Sequence, residues 1–300
     1  MPTETTSTTA PWFDTNLEER LTPSVISFFS TYCHLEREAL HQHLHSIVSM
    51  PSETTCVVQV SNILQHQRAW DIRPYPCIGQ WGFLTPKIQD SPAYATVLQR
   101  VKDGDTILDF GCCMGQDLRH LAADAAPSDN MYGADIESAF WELGYDLFQD
   151  RSTFHGRYFD SDILGDTSAF KISSLRQQLQ GKVDVVYAGA IFHLWDVDTQ
   201  FDALISLVEL TKKASMVVAC QLGSVEVETK PARREGLKPR LFHNASSIKE
   251  LWGRVSETTS TIWRVEARIV DLDVLLPNER DRSWMDKTNR GLFFEATRVL

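Results

Sequence analysis

The chain has 300 residues, of which 43% are hydrophobic, and its formal net charge is -11 at pH 7. This length and composition predict one globular unit with a full core. The excess of acidic residues argues against a broad phosphate-binding surface, so we expect no nucleic acid as partner. A small or apolar ligand is more compatible with this negative net charge than a nucleic acid is.

The cysteines and the first residues of the chain indicate in which cellular compartment the protein is expected. The six cysteines form no CxxC pair, so neither a metal site nor a disulfide framework is predicted. The start MPTETTSTTA lacks the features of a signal peptide, and no apolar run reaches the ~18 residues of a membrane span. We therefore expect a soluble, cytoplasmic protein without stable membrane insertion.

Helical periodicity marks the first part of the chain. Apolar residues recur at helical spacing between Pro23 and Met50, before the helix breaker Pro51, and a second helical stretch is predicted over 57–70. The segment DIRPYPCIGQWGFL, residues 71–84, favours an ordered loop. These patterns divide the chain into a disordered tail, a helical cap with an aromatic lid segment, and an α/β domain, over residues 1–14, 15–100 and 101–300.

From Thr106 onward, short apolar runs alternate with amphipathic stretches, which is typical of strand-helix repeats around a parallel sheet. The predicted strands span 106–110, 130–135, 157–159, 183–188 and 215–221. The predicted helices span 116–124, 138–150, 167–180, 198–212 and 246–255. Two strand-like segments, 260–273 and 291–300, have no clear helix between them and predict an antiparallel pair that ends the sheet.

The segment ILDFGCCMGQDL, residues 107–118, predicts a buried strand, a tight turn and a helix. Gly111 and Gly115 would let the backbone approach a ligand at the carboxyl end of the strand. A dinucleotide fingerprint would also need glycine at the positions of Cys113 and Gln116. Because two of the three fingerprint glycines are replaced, the sequence argues against a nicotinamide-dependent reductase.

Two further strand ends carry residues suited to ligand binding. Asp135 follows Asp109 by 26 positions (135 − 109), the separation expected when an acid at the next strand accepts hydrogen bonds from ribose hydroxyls, although an Asp there is often only a helix cap. Beyond the small residues Ala188 and Gly189 lies His193. A histidine there is either a general base, a hydrogen-bond donor or a packed core residue.

Together these segments resemble the fungal S-adenosylmethionine-dependent methyltransferases of meroterpenoid and related polyketide pathways. The resemblance rests on QRAWDIRPYPCIGQWGFL, ILDFGCCMGQDLRHL, NMYGADIE with WELGYDLFQDR, and AGAIFHLWD, and it covers the chain from about residue 62 to the C-terminus. It implies a Rossmann-like class I methyltransferase fold, with seven strands of which the last is antiparallel, and a cofactor without phosphates. A turn that binds such a cofactor can carry cysteine in place of the middle glycine.

The resemblance also implies site residues. The cofactor contacts it implies lie at four strand ends and in the lid segment: Asp109, Gly111, Cys112, Gly115, Asp135, Ile136, Asp162, Ile163, Ala188, Gly189 and Tyr75. Among these, Asp162 and the amide of Ile163 would read adenine, and Tyr75 would contact the methionine end. For the two adjacent thiols of the turn we expect packing only. The catalytic candidate is His193, and the substrate-binding candidates are Arg73, Trp81, Phe192 and Trp195.

The implied activity is O-methylation of a small apolar or aromatic molecule, at a carboxylate or a phenol hydroxyl. A carboxylate is already ionised at neutral pH, so His193 would orient it rather than deprotonate it. Two other enzyme classes stay open: a cyclase or isomerase that binds the same cofactor without methyl transfer, and the reductase above. A non-enzymatic binding module is the weakest alternative, and a homodimer is compatible with the sequence.

Overall fold

The computed structural model describes residues 10, 12–14, 16–46, 67–164, 170, 173–232, 236–276 and 282–300. The described strands, numbered along the chain, are β1 (Ile107–Phe110), β2 (Met131–Asp135), β3 (Arg157–Asp160), β4 (Val183–Gly189), β5 (Thr211–Ser224), β6 (Glu228–Lys230), β7 (Arg240–Phe242), β8 (Trp263–Val270) and β9 (Asn289–Arg298). Seven of them form one sheet in the order β3-β2-β1-β4-β5-β9-β8, while β6 and β7 form a separate antiparallel pair.

Within the large sheet, β1 to β5 are parallel, and β9 runs antiparallel between β5 and β8. The predicted seven-stranded sheet with an antiparallel last strand is therefore confirmed. The β6–β7 pair was not predicted, because strands of three residues are too short to show an alternating pattern. Its second strand is tied to the loop after β4 by a hydrogen bond from the Leu241 amide to the Trp195 carbonyl, at 2.9 Å.

Helices cover both faces of the sheet. The described helices, also numbered along the chain, are α1 (Pro23–Cys33), α2 (Arg37–Ser46), α3 (Gln67–Ile72), α4 (Pro76–Gly79), α5 (Tyr94–Lys102), α6 (Gln116–Ala123), α7 (Ser138–Phe148), α8 (Ser174–Leu179), α9 (Val197–Leu210), α10 (Ala245–Thr259) and α11 (Leu272–Leu275). None of these described helices is long and apolar enough to cross a membrane. The central strands β1, β4 and β5 are buried on both faces, which explains their nearly continuous apolar runs.

Three predictions for the cap region differ from the structure. The single helix predicted between Pro23 and Met50 is instead two helices, because His34 adopts a left-handed conformation (φ 57°) that ends α1. The predicted loop 71–84 contains α4, which begins at Pro76, where proline suits the first helical turn. Helix α5 was missed. Residues 47–66, with most of the second predicted helix, lie outside the described residues, as do 165–169 and 171–172 of the predicted helix 167–180.

The tail predicted over 1–14 lies mostly outside the described residues, but Trp12 to Asp14 pack against the cap. The Gln80 side chain donates to the Trp12 carbonyl, and the Trp81 indole N–H donates to the Asp14 carbonyl, both at 2.8 Å. The Asp14 carboxylate also forms an ion pair with Arg20. The packed chain therefore begins before the predicted boundary at residue 15.

The buried side chain of Arg119, on α6, joins three parts of the fold. It forms two hydrogen bonds to the Asp150 carboxylate, at 2.7 and 3.1 Å, and one to the Met114 carbonyl, at 2.8 Å. The Tyr32 hydroxyl of α1 donates to the same carboxylate, at 2.8 Å. Four aromatic rings lie within 5.4 Å of the guanidinium carbon: Trp141, Tyr145, Phe148 and Phe154. The loop after β1, the end of α7 and the cap are thus held by one ion pair.

Replacing this arginine tests how much the pair contributes. In the variant Arg119→Met, the Asp150 carboxylate would stay buried without its cation, which we expect to lower the free energy of unfolding by about 3–5 kcal/mol. The matched control is Arg151→Met, which breaks an exposed ion pair with Glu142 (2.9 Å) and should leave stability unchanged. Urea denaturation of both variants measures the difference, and an equally stable Arg119→Met variant would contradict the assigned role.

Candidate functional site

The carboxyl ends of β1 to β4 meet at one edge of the sheet. The register pairs Phe110 with Ala134, Asp135 with Asp160, and Asp109 with Tyr187. The loops that follow these strands therefore lie next to one another. This is the edge at which open parallel sheets bind their ligands, and the structure brings the cofactor-binding candidates of all four strands together there.

Two glycines shape the turn after β1 for different reasons. Gly111 has a φ of 78°, and a Cβ there would lie 2.5 Å from the Ile191 Cδ1 atom. Gly115 has a φ of 66°, and its Cβ would lie 2.6 Å from a guanidinium nitrogen of Arg119 and 2.8 Å from the Trp141 ring. Glycine is favoured at position 111 by the left-handed backbone, and at position 115 by the backbone together with the buried Arg119 and Trp141 side chains.

The two cysteines of the turn serve its packing. The Cys112 side chain is buried and fills space over Gly133, where a Cβ would lie 2.8 Å from its Sγ atom. Cys113 has a φ of 49°, and its amide donates to the Asp135 carboxylate at 2.9 Å. Burial raises the pKa of both thiols well above the usual value, so they stay protonated. This environment supports packing rather than a nucleophilic or redox role.

Asp109 is a buried carboxylate with an unused acceptor. Its Oδ2 atom has no hydrogen-bond partner among the described residues. Burial, together with the nearby carboxylates of Asp117 and Asp135, raises the pKa of Asp109 well above its usual range. By contrast, Asp117 accepts hydrogen bonds from the Lys87 and Ile88 amides, both at 2.7 Å, and burial raises its pKa to about 6. Of the two, Asp109 is the carboxylate suited to receive a cationic group.

Asp135, at the end of β2, is half-buried and bonded to backbone amides. Its carboxylate accepts from Cys113 at 2.9 Å and from Glu137 at 3.2 Å. Burial raises the pKa of Asp135, while these amide bonds oppose the rise. The side chain of the next residue, Ile136, is 54% exposed. A carboxylate and an exposed apolar side chain therefore lie side by side, as the binding of a ribose and its base requires.

The lid segment lies beside Asp135. The Arg73 guanidinium donates to the Glu137 carboxylate at 3.3 Å, and the Tyr75 ring lies 6.4 Å from the Phe140 ring of α7. Both contacts are with residues at the beginning of α7. The structure thus places this segment next to the strand end that carries Asp135.

The third strand end offers one side chain and one backbone group. Asp162 is exposed, and its carboxylate accepts from the Leu164 amide at 2.9 Å. The Ile163 side chain is buried in the core, so this residue can offer a ligand only its backbone. That arrangement suits the predicted roles of the Asp162 carboxylate and the Ile163 amide. The residues that follow, 165–169, lie outside the described part of the chain.

The fourth strand end leads into the catalytic candidate. A Cβ at Gly189 would lie 2.8 Å from the Tyr187 hydroxyl, so glycine is needed there for packing within the strand. Ala188 is buried, and Ala190 turns the chain with a φ of 55°. His193 is buried, with its ring edge-to-face to Phe242 at 5.8 Å. The histidine is therefore held in place by the β6–β7 pair.

The substrate-binding candidates are not gathered on one wall. Phe192 and Trp195 lie 6.1 Å apart, and Phe192 is buried against Phe294. Trp81 is buried in the cap beside Phe83. Of the predicted aromatic set, Trp195 is the residue whose side chain is partly exposed.

The sequence analysis did not identify two buried polar residues, one near the end of β5 and one directly after β7. Gln221 interrupts the apolar run MVVACQLG, and His243 follows the last residue of β7. A polar residue inside an apolar strand was the available signal for Gln221. No local pattern marks His243, because its burial depends on the fold of the β6–β7 pair.

Comparisons with known proteins agree with this geometry. Residues 58–84 match the family described as meroterpenoid methyltransferase N-terminal domain. An O-methyltransferase of Stereocaulon alpinum is 36% identical over 263 residues, which cover 85% of this chain and 71% of the relative. A methyltransferase of Penicillium rubens is 39% identical, over 70% of this chain and 76% of the relative. The asnovolin E/chermesin D methyltransferase of Aspergillus novofumigatus is 37% identical, over 68% and 74%.

A solved structure shares the fold. The phosphoethanolamine N-methyltransferase 2 of Haemonchus contortus superposes with a TM-score of 0.50 at 12% identity, over 79% of this chain and 60% of that one. At that identity the match bears on the fold, and it confirms the predicted class I methyltransferase architecture. The sequence relatives cover more of the chain at higher identity. This protein therefore belongs to the family of fungal methyltransferases of meroterpenoid and related secondary metabolism.

Proposed function

We propose that this enzyme transfers a methyl group from S-adenosylmethionine to a carboxylate oxygen of an aromatic or meroterpenoid molecule, giving a methyl ester. The observation that carries the choice of cofactor is Asp109, a buried carboxylate at the edge where the strand ends meet, whose Oδ2 atom has no hydrogen-bond partner in the described part of the chain. S-Adenosylmethionine, when bound, supplies an electrophilic methyl group. The name of the Stereocaulon alpinum relative supports transfer to oxygen.

The residues present fit this cofactor. Asp135 would accept hydrogen bonds from the ribose hydroxyls, with the exposed Ile136 side chain against the base. Asp162 and the Ile163 amide would bind the edge of the adenine. Asp109 would attract the ammonium group, because it is a buried carboxylate with an unused acceptor atom. Tyr75 of the lid and the Gly111, Cys112, Gly115, Ala188 and Gly189 backbones would enclose the amino acid portion.

The chemistry asks the protein mainly for alignment. Holding the two reactants in line contributes up to roughly 7–11 kcal/mol in favourable cases. A carboxylate with a pKa near ~4 is ionised at neutral pH, so no group of the enzyme has to remove a proton. His193, whose ring packs edge-to-face on Phe242, would orient the acceptor beside Trp195 and Phe192. Arg73, in the lid segment, would contact the acceptor.

Cofactor binding and methyl gain test the proposal. Isothermal titration should show binding of S-adenosylmethionine and S-adenosylhomocysteine but not of NADPH. Mass spectrometry of aromatic and prenylated carboxylic acids incubated with the enzyme should then show the gain of one methylene unit in a base-labile ester. Binding without any mass gain, but with a rearranged product, would instead identify a cyclase or isomerase. Binding of NADPH alone would overturn the proposal.

A conservative change at Asp135 tests ribose binding. Asp135→Asn removes the charge and keeps one acceptor oxygen, which can accept from the Cys113 amide or the Glu137 amide but not from both. We expect an intact fold and about tenfold or weaker S-adenosylmethionine binding in calorimetry. Asp160→Asn is the matched control, because Asp160 is paired with Asp135 in the sheet register but is exposed. Equal affinities of the two variants would remove Asp135 from the ribose role.

Proton release tests the role of Asp109. Because the pKa of Asp109 is raised in the free protein, its carboxyl group is protonated at higher pH than usual, and an ammonium group bound beside it would lower that pKa. Binding of S-adenosylmethionine at about pH 6, where the ligand's own amino group is already protonated, should therefore release protons. Calorimetry in buffers of different ionisation enthalpy measures the release. It should disappear in Asp109→Asn, and an unchanged release would contradict the assignment.

The pH dependence of turnover separates the two roles of His193. If His193 orients an ionised acceptor, kcat should stay flat from about pH 6 to 9, since the acceptor is ionised throughout. His193→Ala should lower kcat while leaving the Kd of S-adenosylmethionine within about twofold. A wild-type kcat that rises with pH through the pKa of a histidine would instead indicate a general base and a hydroxyl acceptor.

A further inference from the structure

Gln221 has an amide group to which no described residue of the protein is hydrogen-bonded. The residue is completely buried, and neither its Oε1 nor its Nε2 atom has a hydrogen-bond partner among the described residues. Leaving such a group unpaired costs about 1–3 kcal/mol. An amide retained at this cost inside an apolar strand points to a ligand or a bound water at that position.

The amide lies on the acceptor side of the site. Side chains alternate along β5, so Gln221 shares a face with Ala219 and Gly223. Ala219 is paired with Phe294, which contacts Phe192. The amide of Ala190 donates to the Cys220 carbonyl at 2.7 Å, which holds the loop leading to His193 beside this part of β5.

A second buried polar residue, His243, lies next to this part of β5. A Cβ at Gly223 would lie 2.6 Å from the His243 carbonyl oxygen, so the backbone of His243 passes over the face that carries Gln221. The His243 ring is buried, with Nδ1 2.8 Å from the Ser247 hydroxyl, and Nε2 has no partner among the described residues. Burial lowers the pKa of His243 to about 4, which keeps the ring neutral. The preceding residue, Phe242, is the one that contacts His193.

We propose that the Gln221 amide and the Nε2 atom of His243 bind the oxygen atoms of the acceptor carboxylate and orient it for methylation. This inference rests on the proposed function and names the acceptor-binding groups of that site. The Gln221 Nε2 donates to a carboxylate oxygen. His243 donates from Nε2 when its Nδ1 accepts the Ser247 hydroxyl proton.

Neutral donors suit this reaction better than a cation. The carboxylate loses its negative charge as the new carbon–oxygen bond forms and the carbon–sulfur bond breaks. A fully charged lysine or arginine would therefore stabilise the ground state more than the transition state and would slow the chemical step. An amide and a neutral imidazole fix the direction of the nucleophile with a smaller penalty of this kind.

Three variants test the assignment with a carboxylic acid that the wild type methylates. Gln221→Leu should raise the KM for the acid about tenfold or more. It should not change the Kd of S-adenosylmethionine or lower the melting temperature, because no protein hydrogen bond is lost. Gln221→Glu should be worse than Gln221→Leu, since a second carboxylate would repel the acceptor. His243→Phe should raise the same KM.

The matched control is Gln200→Leu. Gln200 is equally buried, but its Nε2 donates to the Trp195 and Leu241 carbonyls, both at 3.0 Å. This variant should lose thermal stability, which Gln221→Leu should not.

The possible outcomes separate the two proposals. An unchanged KM in Gln221→Leu would show that the amide binds only water and would overturn the inference, while the proposed function would stand. A Gln221→Glu variant that keeps full activity would show that the acceptor carboxylate does not lie beside this side chain, and would likewise overturn the inference. If the wild type methylates no carboxylic acid, the proposed function fails first, and the inference falls with it.

Discussion

The buried ion pair between Arg119 and Asp150 determines the shape of the turn after β1, residues 111–115. Two charges removed from water are stable together only when the geometry is good and the remaining hydrogen bonds are made. Here the guanidinium also binds the Met114 carbonyl, and four aromatic rings exclude water. Gly115 must lack a side chain to leave room for it. The turn is therefore fixed by the core beneath it before any ligand arrives, which reduces the entropic cost of binding.

The turn that results is suited to a cation rather than to phosphates. Three carboxyl groups lie near this turn: Asp109, Asp117 and Asp135. Burial, together with the other two carboxylates, raises the pKa of Asp109. Asp117 and Asp135 already accept hydrogen bonds from backbone amides. The third, Asp109, keeps an oxygen to which none of the described residues is hydrogen-bonded. A pyrophosphate would meet repulsion from these carboxylates, whereas a ligand with an ammonium and a sulfonium group would be attracted. This electrostatic difference supports the proposed cofactor over a dinucleotide at this turn.

How much the sequence predicted depended on whether a signal is local. The parallel strands were recognised because a sheet covered on both faces leaves continuous apolar runs, and the acids at the ends of β1 and β2 follow directly from those strands. The break at His34 was missed because its left-handed conformation is not encoded by a glycine. The sequence left open whether Trp81 and Phe192 face a ligand or the core, because an aromatic side chain in a loop has the same sequence signal in both cases. The pairing of Arg119 with Asp150, 31 positions apart, depends on the packing of α6 against α7.

The proposed acceptor site lies in a different part of the fold from the proposed cofactor site. The turn after β1, where the cofactor is proposed to bind, rests on the ion pair and on β1 and β2. The proposed acceptor site is built by the end of β5 and the β6–β7 pair. The Phe242 ring contacts His193, and the Lys230 ammonium lies 5.7 Å from the centre of the Phe242 ring. That ammonium is itself bonded to Asp286 and Thr288 at 2.8 Å, so its charge is balanced within the protein. In the proposed site, a change in the β6–β7 pair would therefore alter acceptor binding without disturbing the carboxylates proposed to hold the cofactor.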